Sequence, residues 1–167
     1  MDMIYRRADI RDLDLLTEIR VQVLRAANHL PETDELAEVR ANSRSYYRRA
    51  LPEGAHAAFL AFDGERFAAT GGVSFYAVMP TCCNPSGQKA YLMNIYTCPE
   101  YRRKGVAYRM VDLLVKECLA RDVTFISLEA TDMGRPLYEK YGFRPMRDEM
   151  LLPPERCLSL ASRWAGL

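Results

Sequence analysis

Residues 56–79, HAAFLAFDGERFAATGGVSFYAVM, constrain the fold more than any other stretch of the chain. They hold two apolar runs joined by Asp63-Gly64, a dipeptide suited to the left-handed backbone of a tight hairpin. A third apolar run, AYLMNIYTC (90–98), follows PTCCNPSGQK (80–89), whose turn formers read as a long exposed loop. Beyond it, Ala107, Met110, Val111, Leu114 and Cys118 recur at helical spacing, and VTFISLEA (123–130) reads as another strand. A hairpin meander running into a strand-helix-strand unit predicts a mixed sheet with helices packed on it.

The flanking segments add to this frame. MIYRRA (3–8) reads as a first strand. From Asp12, an N-cap by type, Leu15, Leu16, Ile19, Val23 and Leu24 form a helical stripe that NHLPET interrupts. A second helix is predicted from near Thr33, with Leu36, Val39, Tyr46, Tyr47 and Ala50 on one face, until LPEG. GRPLYEKY (134–141) is a short helix closed by Gly142, and FRPM and EMLLP read as a final pair of short strands. The predicted order is β-α-α-β-β-β-α-β-α-β-β. With no repeat and no linker, residues 1–167 are expected to form one domain.

The chain carries a net charge of +1, with 49% hydrophobic and 27% charged residues, which argues against a broad field for nucleic acid or membrane surfaces. Its apolar runs are too short to span a bilayer, and MDMIYRRADIRD places charges where an export signal needs an apolar core. The five cysteines, with no C-x-x-C and no nearby histidine pair, speak against a disulfide framework or a metal site. A cytoplasmic protein with reduced thiols is the expectation.

Against that near-neutral background, YRRKGVA (101–107) stands out. Three cations run into a lone glycine, and a helical pattern starts at once. A strand that turns through glycine into a helix leaves backbone N–H groups free at the positive end of the helix dipole, which suits a phosphate. The residues alone fit two readings, a phosphate cradle or a solvated charged cap. Neither G-x-x-x-x-G-K-[ST] nor G-x-G-x-x-G is present.

The surrounding residues resemble the GCN5-related N-acetyltransferase superfamily. Arg102-Arg103-Lys104-Gly105-Val106-Ala107 matches its acetyl-CoA signature, [RQ]-x-x-G-x-[GA]. LMNIYTCPEYRRKG looks like that family's fourth strand entering the pyrophosphate loop, FISLEA like its fifth strand, and GRPLYEKYGFRP like its late helix and turn. The resemblance implies an α/β (α+β) fold: a mostly antiparallel mixed sheet of six to seven strands, about four flanking helices, and splayed fourth and fifth strands.

It also implies an N-acetyltransferase using acetyl-CoA as co-substrate and no metal. Asn94, Ile95 and Tyr96 would offer backbone groups to the thioester and pantetheine, with one N–H serving as an oxyanion donor. The N–H groups from Arg103 to Ala107, flanked by the Arg102, Arg103 and Lys104 side chains, would hold the pyrophosphate. Tyr138 matches the tyrosine that protonates the departing thiolate. Thr131 stands where many members carry an asparagine that contacts CoA or caps the last helix. That departure leaves open whether the CoA contact is kept, and Asp132 is an equal candidate for the cap.

An amine acceptor must lose a proton before it attacks, and Glu129 is the candidate base, weighed evenly against an ordinary strand-end carboxylate. His29, His56 and Cys98 read as structural. The acceptor is expected to be a small-molecule or peptide amine of unspecified identity, with no nucleic acid and no membrane as partner. Dimers are common in the superfamily, so a homodimer is compatible. The competing reading is a non-catalytic acyl-CoA-binding regulatory domain.

Overall fold

The computed structural model describes residues 2–147 and 149–157. Five strands, β1 (Met3–Arg7), β2 (His56–Asp63), β3 (Arg66–Ala77), β4 (Gln88–Thr97) and β5 (Phe125–Leu128), form one sheet in that spatial order. Neighbours β1 to β4 pair antiparallel, whereas β4 and β5 pair parallel, joined by the right-sized crossover of a helix. Helices α1 (Leu13–Asn28) and α2 (Ala37–Ala50) cover one face; α3 (Val106–Leu119) and α4 (Arg135–Tyr141) cover the other.

The β2 run is continuously apolar because both of its faces are covered. Ala57, Phe59 and Ala61 join the α3 core with Met110, Val111 and Leu114, while Ala58, Leu60 and Phe62 meet Leu16, Ile19 and Val23 of α1. The hairpin turns through Gly64 and Glu65, with Gly64 at φ 61°, as the dipeptide predicts. Gly71 lets α3 approach the sheet: a Cβ there would stand 2.6 Å from Met110 Cγ and 2.9 Å from Leu114 Cδ1.

Two features of β4 shape the site. Its pairing with β5 covers only Lys89–Leu92 opposite Phe125–Leu128, so β4 runs on to Thr97 with that edge unpaired among the described residues. This is the expected divergence of the fourth and fifth strands. On the other side, Met93 faces Gly72 and Tyr96 faces Thr70, so Asn94 and Ile95 together oppose Gly71. This is a β-bulge, and Asn94 takes a left-handed φ of 56° there. The bulge shifts the alternation: Ala90, Leu92 and then Ile95 face α3, while Tyr96 turns toward α1.

Several sequence expectations are corrected. The sheet has five strands among the described residues, because 143–146 and 149–153 are irregular rather than paired. Pro145 and Pro153 withhold ladder donors there, and Met150 and Leu151 lie open to solvent. Helix α2 starts at Ala37, not near Thr33, since Leu36 holds a left-handed φ of 45° and Asp34 Oδ1 accepts its N–H. Asp12 precedes α1 but does not cap it. Its carboxylate binds Arg6 and accepts the Asp9 N–H, closing a capping box around a short 3-10 turn at Ile10–Asp12. The loop before β4 is tighter than expected: Thr81 and Asn84 form a bridge, Asn84 is buried, and Gln88 and Lys89 already belong to β4.

Candidate active site

After β4 the chain makes a 3-10 turn at Pro99–Tyr101 and reaches α3 through Arg103 at φ 62° and Gly105 at φ 80°. A Cβ on Gly105 would touch nothing within 4 Å, so backbone conformation rather than space calls for glycine here. Among the described residues, no acceptor takes the N–H groups of residues 103–107. These N–H groups and the start of α3 form a concentrated anion site. Arg102 Nε donates to Thr97 O at 3.1 Å, tying the turn to the end of β4. Lys104 Nζ lies 5.6 Å above the buried Tyr101 ring, which anchors that cation beside the loop.

The α1/α2 face of the sheet holds a cleft of about 880 Å³, walled by Arg20, Tyr46, Ser74, Tyr76, Met93 and Asn94 among others. The half-buried Arg20 reaches across from α1, its Nη1 donating to Asn94 Oδ1 at 3.2 Å. Under the cleft, Tyr46 Oη lies 2.7 Å from Ser74 Oγ, and both lie 3.2 Å from His56 Nδ1. Burial, assisted by the Arg20 charge, lowers the His56 pKa to about 4. His56 is therefore neutral near pH 7 and positions Tyr46 and Ser74 rather than collecting protons. Its Nε2 has no hydrogen-bond partner among the described residues, and a Cβ on Gly72 would stand 2.8 Å from it. Burial likewise pushes the neighbouring Tyr47 up to about 12.

Tyr138 lies on the opposite face, in α4, half-buried against Phe143 with ring centroids 6.1 Å apart. It lines a smaller cleft of about 310 Å³ with Ile126, Leu128 and Ala130. Burial raises its pKa, which keeps the phenol protonated as a donor. Glu129, exposed just past β5, lies beside Tyr91, whose pKa rises through burial and then through the Glu129 charge. Tyr91 alternates with the core residues Ala90 and Leu92, so this pair belongs to the α1/α2 face. Tyr138 and Glu129 thus approach the β4/β5 gap from its two sides.

Thr131 caps the approach to α4: its Oγ1 accepts Gly134 N–H at 3.2 Å and its carbonyl accepts from Gly134 and Arg135. Asp132 makes no such bond. Cys98 is half-buried with a pKa raised by burial, and its thiol leans on Phe67 O at 3.6 Å, an inert arrangement. His29 is the exposed left-handed residue that ends α1. Sequence reasoning missed Arg20 and Tyr91. A signal for Arg20 existed: it falls on the sheet-facing stripe of α1, four residues after Leu16 and three before Val23, where an apolar residue is the norm.

The model of the Acetyltransferase (GNAT) family matches residues 22–143. The fold is similar to that of a predicted acetyltransferase from Clostridium acetobutylicum, solved with acetyl-CoA. The two are 33% identical with a TM-score of 0.83, over 90% of this chain and 96% of that one. A GCN5-related N-acetyltransferase from Ralstonia eutropha is 27% identical with a TM-score of 0.80, over 92% and 99% of the two chains. A 56-residue stretch is 36% identical to the human cysteine-rich protein 2-binding protein, covering 34% of this chain but only 7% of that protein.

Proposed function

The chain belongs to the GNAT family of acetyltransferases, and on that premise we propose that it moves an acetyl group from acetyl-CoA to a primary amine by direct attack. The observation that carries this reading is the run of unclaimed N–H groups at 103–107, set directly beyond an unpaired edge of β4. The pyrophosphate of acetyl-CoA would take those N–H groups, with Arg103 and Lys104 adding charge. Its amide-bearing pantetheine arm would then run along β4 at Asn94, Ile95 and Tyr96, as a short strand does. One N–H of the bulge would donate to the thioester oxygen as negative charge develops there. The relative from Clostridium acetobutylicum, solved with acetyl-CoA, supports this choice of donor.

The acceptor enters from the cleft on the α1/α2 face. Its nitrogen attacks the thioester carbon and the carbon–sulfur bond breaks. Tyr138 gives its proton to the leaving sulfur from the opposite face. Glu129, acting with Tyr91 or through water, takes the proton that the amine sheds. Bringing two substrates together across one strand supplies much of the acceleration. Thr131 would serve by capping α4 and so fixing Tyr138.

The test is thermal stabilisation by acetyl-CoA, CoA and ATP, paired with thiol release. A ligand at a hundredfold excess over its dissociation constant stabilises by about 2.7 kcal/mol. A CoA-selective shift that Gly105→Glu abolishes is expected. An equal shift with ATP, or none with acetyl-CoA, refutes the cradle; stabilisation without thiol release to any amine refutes the enzyme.

A further inference from the structure

The cleft also carries information about the acceptor, and this inference rests on the reading above. Among the described residues, Arg20 is a half-buried cation with no carboxylate partner, and of its five N–H donors only one is engaged, on Asn94 Oδ1. A guanidinium drawn into a cleft with free donors is set for an anion with two oxygens in a plane. Of the described residues lining the cleft, Arg20 and Arg49 are cationic and Glu53 is the one carboxylate, exposed at the rim. The remaining wall combines the apolar and aromatic Val39, Tyr46, Tyr76 and Met93 with the uncharged polar Asn42, Ser43 and Ser74.

We propose that the acceptor is an α-amino acid with an apolar or aromatic side chain, its carboxylate held by Arg20 and its amine delivered to the bulge of β4. The position of Arg20 decides between amines. It touches Asn94, the left-handed residue of the bulge, so an anion docked on it lies beside the point of transfer. In an α-amino acid the amine nitrogen is two bonds from the carboxyl carbon and falls at the same place. A side-chain amine four methylenes away would carry its carboxylate out of reach. The same cation lowers the pKa of a neighbouring ammonium group, so more of the acceptor is in its attacking form. Polyamines and other polycations meet repulsion instead. Arg20 is thus a specificity-determining residue.

The experiment measures thiol release at saturating acetyl-CoA, with binding of acetyl-CoA verified by thermal shift. L-phenylalanine and L-methionine are compared with their amides and with the matching decarboxylated amines, for the wild-type protein, Arg20→Gln and Arg20→Lys. In the wild type, the free acids should exceed the amides in kcat/KM by roughly ten- to a hundredfold, the worth of a charge-assisted hydrogen bond. Arg20→Gln should bring that ratio toward one, and Arg20→Lys should restore part of it. Wild-type amides or amines turned over as well as the acids would overturn the inference, and so would an unchanged ratio in Arg20→Gln. So would a failure of every free amino acid while acetyl-CoA still stabilises the protein. Loss of the acetyl-CoA shift itself would strike the reading of the site instead.

Discussion

Acidification should weaken this protein through a single histidine. In the unfolded chain the His56 imidazole takes up its proton near 6.5, whereas in the fold burial and the Arg20 charge hold it neutral down to about 4. Between those values the unfolded chain binds more protons than the folded one. Stability is therefore complete above the unfolded value and is lost as pH falls toward the folded one. Linkage gives a loss of about 1.4 kcal/mol at pH 5.5 and about 2.5 kcal/mol at pH 4.5. For a chain of this length, that lowers Tm by roughly 5–10 °C. The depressed carboxyls of Asp12 and Asp112 contribute near and below their ordinary value of 3.8, outside this window. The assay is a series of thermal melts followed by circular dichroism from about pH 7.5 to 4.5, for the wild type and for His56→Gln. Glutamine does not titrate and keeps an amide for Tyr46 and Ser74, so its profile should be flatter by the stated amount. Superimposable slopes for the two proteins would refute the burial argument.

Tyr138→Phe should lower kcat by about a hundredfold, the usual worth of a positioned proton donor, with a smaller change in the acetyl-CoA KM; steady-state thiol release reads both. Gly71→Ala should destabilise by about 1–3 kcal/mol, because the added methyl drives into Met110 and Leu114 in a filled core; urea unfolding measures it. Arg121→Ala removes a guanidinium stacked 4.0 Å from the Phe75 ring centroid and bonded to Gly54 O at 2.6 Å. A loss of about 2 kcal/mol is expected, with no change in acetyl-CoA affinity, since none of these groups lies at the cradle.

The hairpin, the amphipathic α3 stripe, the Gly142 stop and the turn into α3 were legible because each is a local device: a dipeptide, a period of 3.6 or a glycine at positive φ. The final strand pair failed on the same ground. FRPM and EMLLP have strand-like composition, but a strand needs a partner, and composition says nothing about whether one comes. The site divides likewise. Residues 103–107 act through their backbone N–H groups, which a glycine-centred turn announces. Arg20, Tyr91 and the Tyr46–His56–Ser74 cluster act through contacts between distant parts of the chain. Arg20 and Asn94 are 74 residues apart, and no spacing links them. For Arg20 the trace was its odd placement on an apolar stripe; for the cleft wall it was the aromatics Tyr46, Tyr47, Phe75 and Tyr76, whose periodicity fits a core equally well.

The bulge in β4 amounts to a frame shift written in side chains. Up to Met93 the strand obeys one parity, with Ala90 and Leu92 toward α3; after it, Ile95 and Tyr96 obey the other. Remove Asn94 and the ladder with β3 would become regular: Ile95 would stand opposite Gly71, still toward α3, and Tyr96 would stay opposite Thr70, but the left-handed residue that holds Arg20 would be gone. The strand would gain hydrogen-bond regularity, keep its core contacts on both sides of the slip, and lose its bond to the cleft's arginine. The extra residue thus serves the cleft and not the core, and the count of residues in one strand is itself part of the site.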